Sequence, residues 1–173
     1  MNIIDKIEKK KIGKVEKNVP LKKCTTYKAG GIAEIIVTPK SVDKLIELLK
    51  LLKENNVNFK ILGNGSNLVF SDKPYKDVLI KLSELNDCVI KDTVVKVGAG
   101  HSLISLAMKT ASVGLTGMEF ATGIPGTIGG AVYMNAGAYK SDMGYIVKSV
   151  KVLTPDNEIK TILNKNLDFH YRT

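Results

Sequence analysis

Two glycine-rich turns, placed about half the chain apart, constrain this sequence more than any other feature. They are Gly63-Asn64-Gly65-Ser66-Asn67 and Gly123-Ile124-Pro125-Gly126-Thr127-Ile128-Gly129-Gly130. Apolar residues flank the first (Val57, Phe59, Ile61 and Leu62 before it, Leu68, Val69 and Phe70 after it), so it reads as a sharp connection between two buried strands. Glycine lets successive backbone N–H groups converge and come close to a ligand, and such nests suit phosphate oxygens. Two of them in one small chain imply a long, phosphate-bearing cofactor. Nucleotide binding is the first expectation.

A chain of 173 residues makes one domain or two small lobes sharing a core. Its apolar fraction of 44% is that of an ordinary globular chain able to build its own core. No apolar stretch approaches a membrane span, and the charged N-terminus lacks the hydrophobic run of a signal peptide. Cys24 and Cys88 match no metal or redox spacing, so they read as buried free thiols in a reducing cytoplasm, and no metal is expected. The formal charge of +9 admits a polyanionic partner, yet only one of the 26 basic residues is arginine. Arginine is the residue that grips phosphates and guanine edges in a bidentate way, so the scattered lysines read as a solvated surface, not a nucleic-acid site. The lone arginine, Arg172, marks a place where a rigid planar fork is an alternative to surface chance.

Along the chain, residues 1–17 read as a basic, weakly amphipathic helix carrying Ile3, Ile4, Ile7 and Ile12. A strand is expected over 32–38, then a helix capped by Ser41 with Val42, Leu45, Leu48, Leu49 and Leu52 on one face, then a strand over 58–62. This is a β-α-β unit. Its glycines follow the second strand and run into a third (Leu68, Val69, Phe70), whereas the dinucleotide fingerprint places them after the first strand and opening a helix. An ordinary Rossmann domain is therefore disfavoured. Further on, a strand over 78–82, a hairpin over 88–97, a helix opened by Ser102 and stopped at Gly114, and a hairpin around Thr154–Asn157 are expected. Residues 115–145 are rich in Gly, Ala and Thr and show no clear period. The composition changes near residue 85, which gives two α+β lobes, 18–84 and 85–173, with a cofactor lying between them.

Five motifs in order then resemble one family: Thr25–Gly31, Leu62–Leu68, Gly123–Ala131, Asn135–Tyr139 and Phe169–Arg172. From about residue 18 to the last residue the chain resembles the UDP-N-acetylenolpyruvoylglucosamine reductases, flavoenzymes of bacterial peptidoglycan synthesis. The resemblance implies the two-lobed FAD-binding fold of the vanillyl-alcohol-oxidase type. It implies that Gly63, Asn64, Gly65, Ser66, Asn67 and Leu68 hold the FAD pyrophosphate. By the same resemblance Gly123, Ile124, Pro125, Gly126, Ile128, Gly129, Gly130 and Ala131 pass beside the flavin, with Ile124 and Ile128 lining it. NADPH would be the hydride donor and a UDP-sugar enolpyruvyl ether the substrate. Arg172 matches the family's active-site arginine, whose fork would pair with the substrate carboxylate as charge moves onto it.

Tyr139 and Asn135 are candidate substrate-side contacts, with structural roles as the alternative. His101 and His170 read as satisfied or exposed histidines, and Glu119 as a backbone orienter. The family's proton-donating serine, its glutamate and its substrate domain lie beyond the tyrosine-arginine motif. The chain is accordingly expected to be the FAD-binding portion with the C-terminal substrate domain absent, and not to turn over substrate efficiently alone. The competing readings are a flavin domain of another oxidoreductase of the same fold and a non-enzymatic basic binding module. Scarce aromatics (6%) weigh against the second, and nothing in the sequence sets an oligomeric state.

Overall fold

The computed structural model describes residues 2–170, which divide into two compact units, Met1–Asn86 and Asp87–Thr173. In the first unit, helix α1 (Ile3–Lys9) opens with a reciprocal cap: the Asn2 side chain accepts from Asp5 N at 2.9 Å and Asp5 accepts from Asn2 N at 3.3 Å. The helix expected over 1–17 ends there. Lys11 turns the chain with a φ of 49°, and Gly13–Pro20 forms strand β1, antiparallel to β2 (Ile32–Pro39). Ile7 and Ile12 are fully buried, so this segment belongs to the sheet layer and is not a surface appendage. Gly13 permits the junction, because a Cβ there would lie 1.9 Å from the Thr38 carbonyl oxygen.

Strand β2 is buried continuously from Ile35 to Pro39, as a strand covered on both faces requires. It leads into α2 (Val42–Glu54), whose first turn is capped by Ser41 Oγ accepting from Lys44 N at 3.2 Å. The buried face of α2 is Leu45, Leu48, Leu51 and Leu52. Val42 is exposed and Leu49 only partly covered, so the stripe is rotated towards Leu51 relative to the expected one. Strand β3 (Phe59–Leu62) takes the sheet edge, and β4 (Val78–Lys81) inserts between β2 and β3, parallel to both. No strand forms at Leu68–Phe70. Leu68 and Val69 are exposed, and Phe70 packs edge-on against Tyr75 with ring centroids 5.3 Å apart. This segment crosses against Gly30 and Gly31 instead of joining a ladder, with Gly31 N donating to Ser71 O at 2.8 Å.

The second unit begins with the hairpin β5 (Cys88–Lys91) and β6 (Val94–Val97), followed by α3 (Leu103–Ser112) under a Ser102 cap. The expected core face of α3 is the observed one: Leu103, Leu106, Ala107 and Thr110 are buried. Thr110 satisfies its hydroxyl on the carbonyls of Leu106 and Ala107 at 3.1 and 2.9 Å. Residues 115–145 lack a period because they are assembled from short pieces. These are a 3-10 turn (Glu119–Gly123), α4 (Ile128–Tyr133), the two-residue strands β7 (Gly137–Ala138) and β8 (Ser141–Asp142), and α5 (Met143–Ile146). Phe120, Ala121, Ile128, Ala131 and Met143 from these pieces close one core with α3. The hairpin of β9 (Ser149–Leu153) and β10 (Ile159–Leu163) turns at Thr154–Asn157 as expected, with Asn157 N donating to Thr154 O at 2.9 Å. Both cysteines are free thiols, and among the described residues no helix is long and apolar enough to cross a membrane.

Two outcomes test this packing. Replacing fully buried Leu48 by alanine should lower unfolding stability by about 2–5 kcal/mol, and Ser41→Ala by about 1 kcal/mol, read from urea midpoints at unchanged slope. Glu47 sits between Lys44 and Lys10, and their hydrogen bonds (2.7 and 3.0 Å) hold its carboxyl below the usual value. That contribution is present above the unfolded carboxylate pKa and is lost as pH falls through the lowered folded one. Glu47→Gln should therefore lower stability slightly near neutrality, make the acid limb of the stability–pH profile shallower, and converge on the wild type at low pH.

Candidate functional site

The first glycine turn leaves β3 at Leu62, which is buried and paired with Lys81 of β4. Gly65 is the buried residue of the turn and takes a left-handed φ of +64°. A Cβ at that position would stand 2.0 Å from the Cys24 carbonyl oxygen and 2.9 Å from Thr25 Cα, so only glycine fits. Thr26 N donates to Gly65 O at 3.1 Å and fastens the turn to the preceding loop. Among the described residues, the backbone amides of Gly63, Asn64, Gly65 and Asn67 donate to no backbone carbonyl. A row of unpaired N–H groups around a left-handed glycine is the geometry that receives an anion.

The Thr25–Gly31 motif is the clamp behind this turn. Thr25 Oγ1 donates to Ala29 O at 3.1 Å, Lys28 N to Thr25 O at 3.2 Å, and Leu21 N to Gly31 O at 2.8 Å. A Cβ on Gly31 would lie 2.4 Å from the Lys73 carbonyl oxygen. From β4, Lys81 reaches back to donate to Cys24 Sγ at 3.4 Å, which brings a cation to the base of the turn. The sequence reading passed over Lys81, one lysine among many; its signal was a charge ending the buried run Val78–Ile80.

The second glycine segment is chemically different. Its amides are occupied within its own unit: Ile124 N bonds Ala121 O, Ile128 N bonds His101 O, and Gly129 N bonds Ala99 O at 3.2, 2.9 and 2.8 Å. Thr127 Oγ1 accepts from Gly130 N at 3.3 Å and caps α4. Gly129 allows contact with Ala99, where a Cβ would meet the Ala99 side chain at 3.0 Å. Ile128 and Ala131, one helical turn apart, both face the core. Ile128 is accordingly buried in this core, and Ile124 packs partly against it. Gly123, with no atom within 4 Å of an added Cβ, and exposed Gly130 are what this segment presents outward.

Asn135 is buried and left-handed, with a φ of 41°. Its side-chain oxygen accepts from Gly144 N at 2.9 Å and its amide donates to His170 O at 3.1 Å. Asn164, unremarked in the sequence, joins the same knot by donating to Gly144 O and Val147 O, each at 2.7 Å. Both polar atoms of Asn135 are thus engaged, the oxygen by α5 and the amide by the segment that leads to Tyr171 and Arg172. Those two residues lie outside the described ones. Tyr139 stands at the tip of the β7–β8 hairpin and is 91% exposed. His170 pairs with Asp168 at 2.8 Å, His101 Nδ1 contacts Ser102 O at 2.9 Å, and Glu119 accepts from Gly117 N at 2.8 Å as a backbone orienter.

With this geometry in hand, residues 33–163 match the family described as FAD binding domain. The UDP-N-acetylenolpyruvoylglucosamine reductase of Anoxybacillus flavithermus (strain DSM 21510 / WK1) is 47% identical over 163 residues, covering 94% of this chain and 54% of that protein. The crystal structure of the UDP-N-acetylenolpyruvylglucosamine reductase from Thermus caldophilus superposes with a TM-score of 0.74 at 32% identity, over 92% of this chain and 56% of that one. An alkyldihydroxyacetonephosphate synthase structure shares the fold, with a TM-score of 0.60 at 19% identity over 79% of this chain and 27% of that one. The chain spans about half the length of the curated relatives it matches. The architecture is the α+β FAD-binding fold of the vanillyl-alcohol-oxidase type. The chain belongs to the FAD binding domain family, in the form carried by the UDP-N-acetylenolpyruvoylglucosamine reductases.

Proposed function

We propose that this chain binds FAD and serves the NADPH-dependent reduction of UDP-N-acetylenolpyruvoylglucosamine to UDP-N-acetylmuramate, a step of cytoplasmic peptidoglycan synthesis. The observation that carries this reading is the open set of amides at Gly63, Asn64, Gly65 and Asn67. These groups fit a pyrophosphate, since they are already aimed, bonded to no other backbone group, and seated on a turn that Gly65 alone can make. Ser66 and exposed Leu68 flank the same turn. Lys81 supplies positive charge beside it. Gly123 and Gly130 keep the outward surface of the second segment low, so a flat ring system can approach its backbone, while Pro125 and Ile124 shape the rim.

Bound FAD supplies hydride transfer between a nicotinamide and an activated double bond. The chain's own residues then have separate tasks. Arg172 would hold the substrate carboxylate with two parallel N–H donors and stabilise the negative charge that grows there. Asn135 would act one step back, by fixing the peptide that leads to Arg172. Tyr139, fully presented to solvent, is the substrate-side contact.

The test is a visible absorption spectrum of the purified chain after FAD is added and the excess removed. Retained flavin absorption is expected. Gly65→Ala should abolish it at unchanged secondary structure, because the added methyl forces the turn off the Cys24 carbonyl. A wild-type chain that folds and takes up no FAD at high concentration would overturn the reading. In the flavin-loaded protein, Arg172→Lys should leave the bound spectrum as it is and weaken its perturbation by the enolpyruvyl ether about 10-fold or more, since a point charge replaces a bidentate fork.

A further inference from the structure

The segment from Asn164 to His170 is tied down at both ends. At its start, Asn164 N donates to Lys148 O at 3.0 Å, and the Asn164 side-chain amide donates to Gly144 O and Val147 O, each at 2.7 Å. At its end, His170 O accepts from the Asn135 amide at 3.1 Å. Between the two ties, Leu167 N donates to Asn164 O at 2.9 Å and closes a 3-10 turn, and Asp168 takes a left-handed φ of 49°. The Asp168 carboxylate pairs with His170 Nε2 at 2.8 Å. Both ties meet on α5, at Gly144. Its N–H donates to Asn135 Oδ1 at 2.9 Å, and its carbonyl accepts from Asn164. Phe169 lies against the same residue, since a Cβ added to Gly144 would stand 3.0 Å from Phe169 Cβ. The carbonyls that close a helix need partners from outside it, and half-buried Asn164 provides them. A cap alone requires neither the second tie nor the meeting of both on one residue.

The geometry points to Asn164 as a positioning residue for Arg172, acting through Gly144, Asn135 and His170. Arg172 follows His170 by two residues, at most about 7 Å of chain, so a shift of the His170 peptide is passed on to it. The assignment rests on the role proposed above for Arg172 and adds to it the residue that sets where the fork is delivered. A bidentate pair is exacting in both distance and plane, so a small displacement weakens a guanidinium more than a point charge. Asparagine suits the task because one planar amide carries two N–H donors and can serve two carbonyls at once. Aspartate has the same shape and no donor, which separates the hydrogen bonds from the packing.

The experiment compares the 173-residue chain with its Asn164→Ala and Asn164→Asp variants by two readouts. The first is NMR. Arg172 is the only arginine of the sequence, so its Nε–H gives a single assignable signal. That signal is expected to shift in both variants, while the amides of α3 keep their positions. The second is titration of the flavin-loaded proteins with the enolpyruvyl ether, followed by the flavin spectrum. Both variants should take up FAD as the wild type does and need about 10-fold more ether for the same spectral change. In an Arg172→Lys background, Asn164→Ala should add less than about 2-fold, since a residue acting through Arg172 has nothing further to lose. An unmoved Arg172 signal in a folded variant would overturn the inference. So would a wild-type response from Asn164→Asp, or full additivity with Arg172→Lys. Wild type that takes up FAD and gives no response to the ether overturns the positioning role and leaves flavin binding standing. Wild type that takes up no FAD overturns the flavin reading itself.

Discussion

The contact between the backbones of Gly65 and Cys24 is the constraint from which the first unit's site follows. An approach that leaves no room for a Cβ, closed by the bond from Thr26 N to Gly65 O, holds the turn in one shape. That shape turns four neighbouring amides away from every backbone acceptor around them. A free-standing loop would fold such donors back on its own carbonyls or onto water. Here the left-handed glycine prevents that, and the Thr25–Gly31 loop keeps the glycine in place through its own bonds to Leu21 and Ser71. The motifs at 25–31 and 63–67 are therefore one device written in two places in the sequence.

The two glycine-rich segments look alike as strings and differ as chemistry. In the first, glycine leaves donors unpaired. In the second, the donors of Ile124, Ile128 and Gly129 are bonded within the unit, and glycine serves close packing, as at the Gly129–Ala99 contact. The count of glycines suggests two alike segments, and the hydrogen bonds leave open amides in the first alone. What the second segment adds is a low, regular surface backed by Ile128, Ala131 and Phe120.

Legibility in the sequence followed how local each determinant was. The caps at Ser41 and Ser102, the α3 face and the Thr154–Asn157 turn depend on residues within a few positions, and all were readable. Strand β1 was not, because Lys14, Lys17 and Asn18 mask its period and only its pairing with Ile35–Val37 makes it a strand. Leu68–Phe70 misled for the opposite reason: the residues favour a strand, yet the segment crosses against Gly30 and Gly31, with Gly31 N bonded to Ser71 O, and joins no ladder. The first glycine turn was legible as a sharp turn, and Gly65 takes the left-handed conformation that its residue type allows. The fates of Ile128, Ala131 and Asn135 were not, since each depends on which way a short helix or a single left-handed residue points a side chain. Five ordered motifs carried the family where no single one did.

The strand order β1-β2-β4-β3 has a consequence for how the chain is made. The central position of the sheet is filled by its last strand, Val78–Lys81, which reaches both neighbours only after the whole stretch from Gly63 to Asp77 has been threaded across the edge. Strands β2 and β3 have no direct pairing with each other and are joined only through β4. The stretch that carries the glycine turn is also the connection from β3 to β4, so its two ends are fixed only when β4 is paired. The shape of the first glycine turn is thus tied to the completion of the sheet, because the stretch that carries it is the one that brings β4 to the centre.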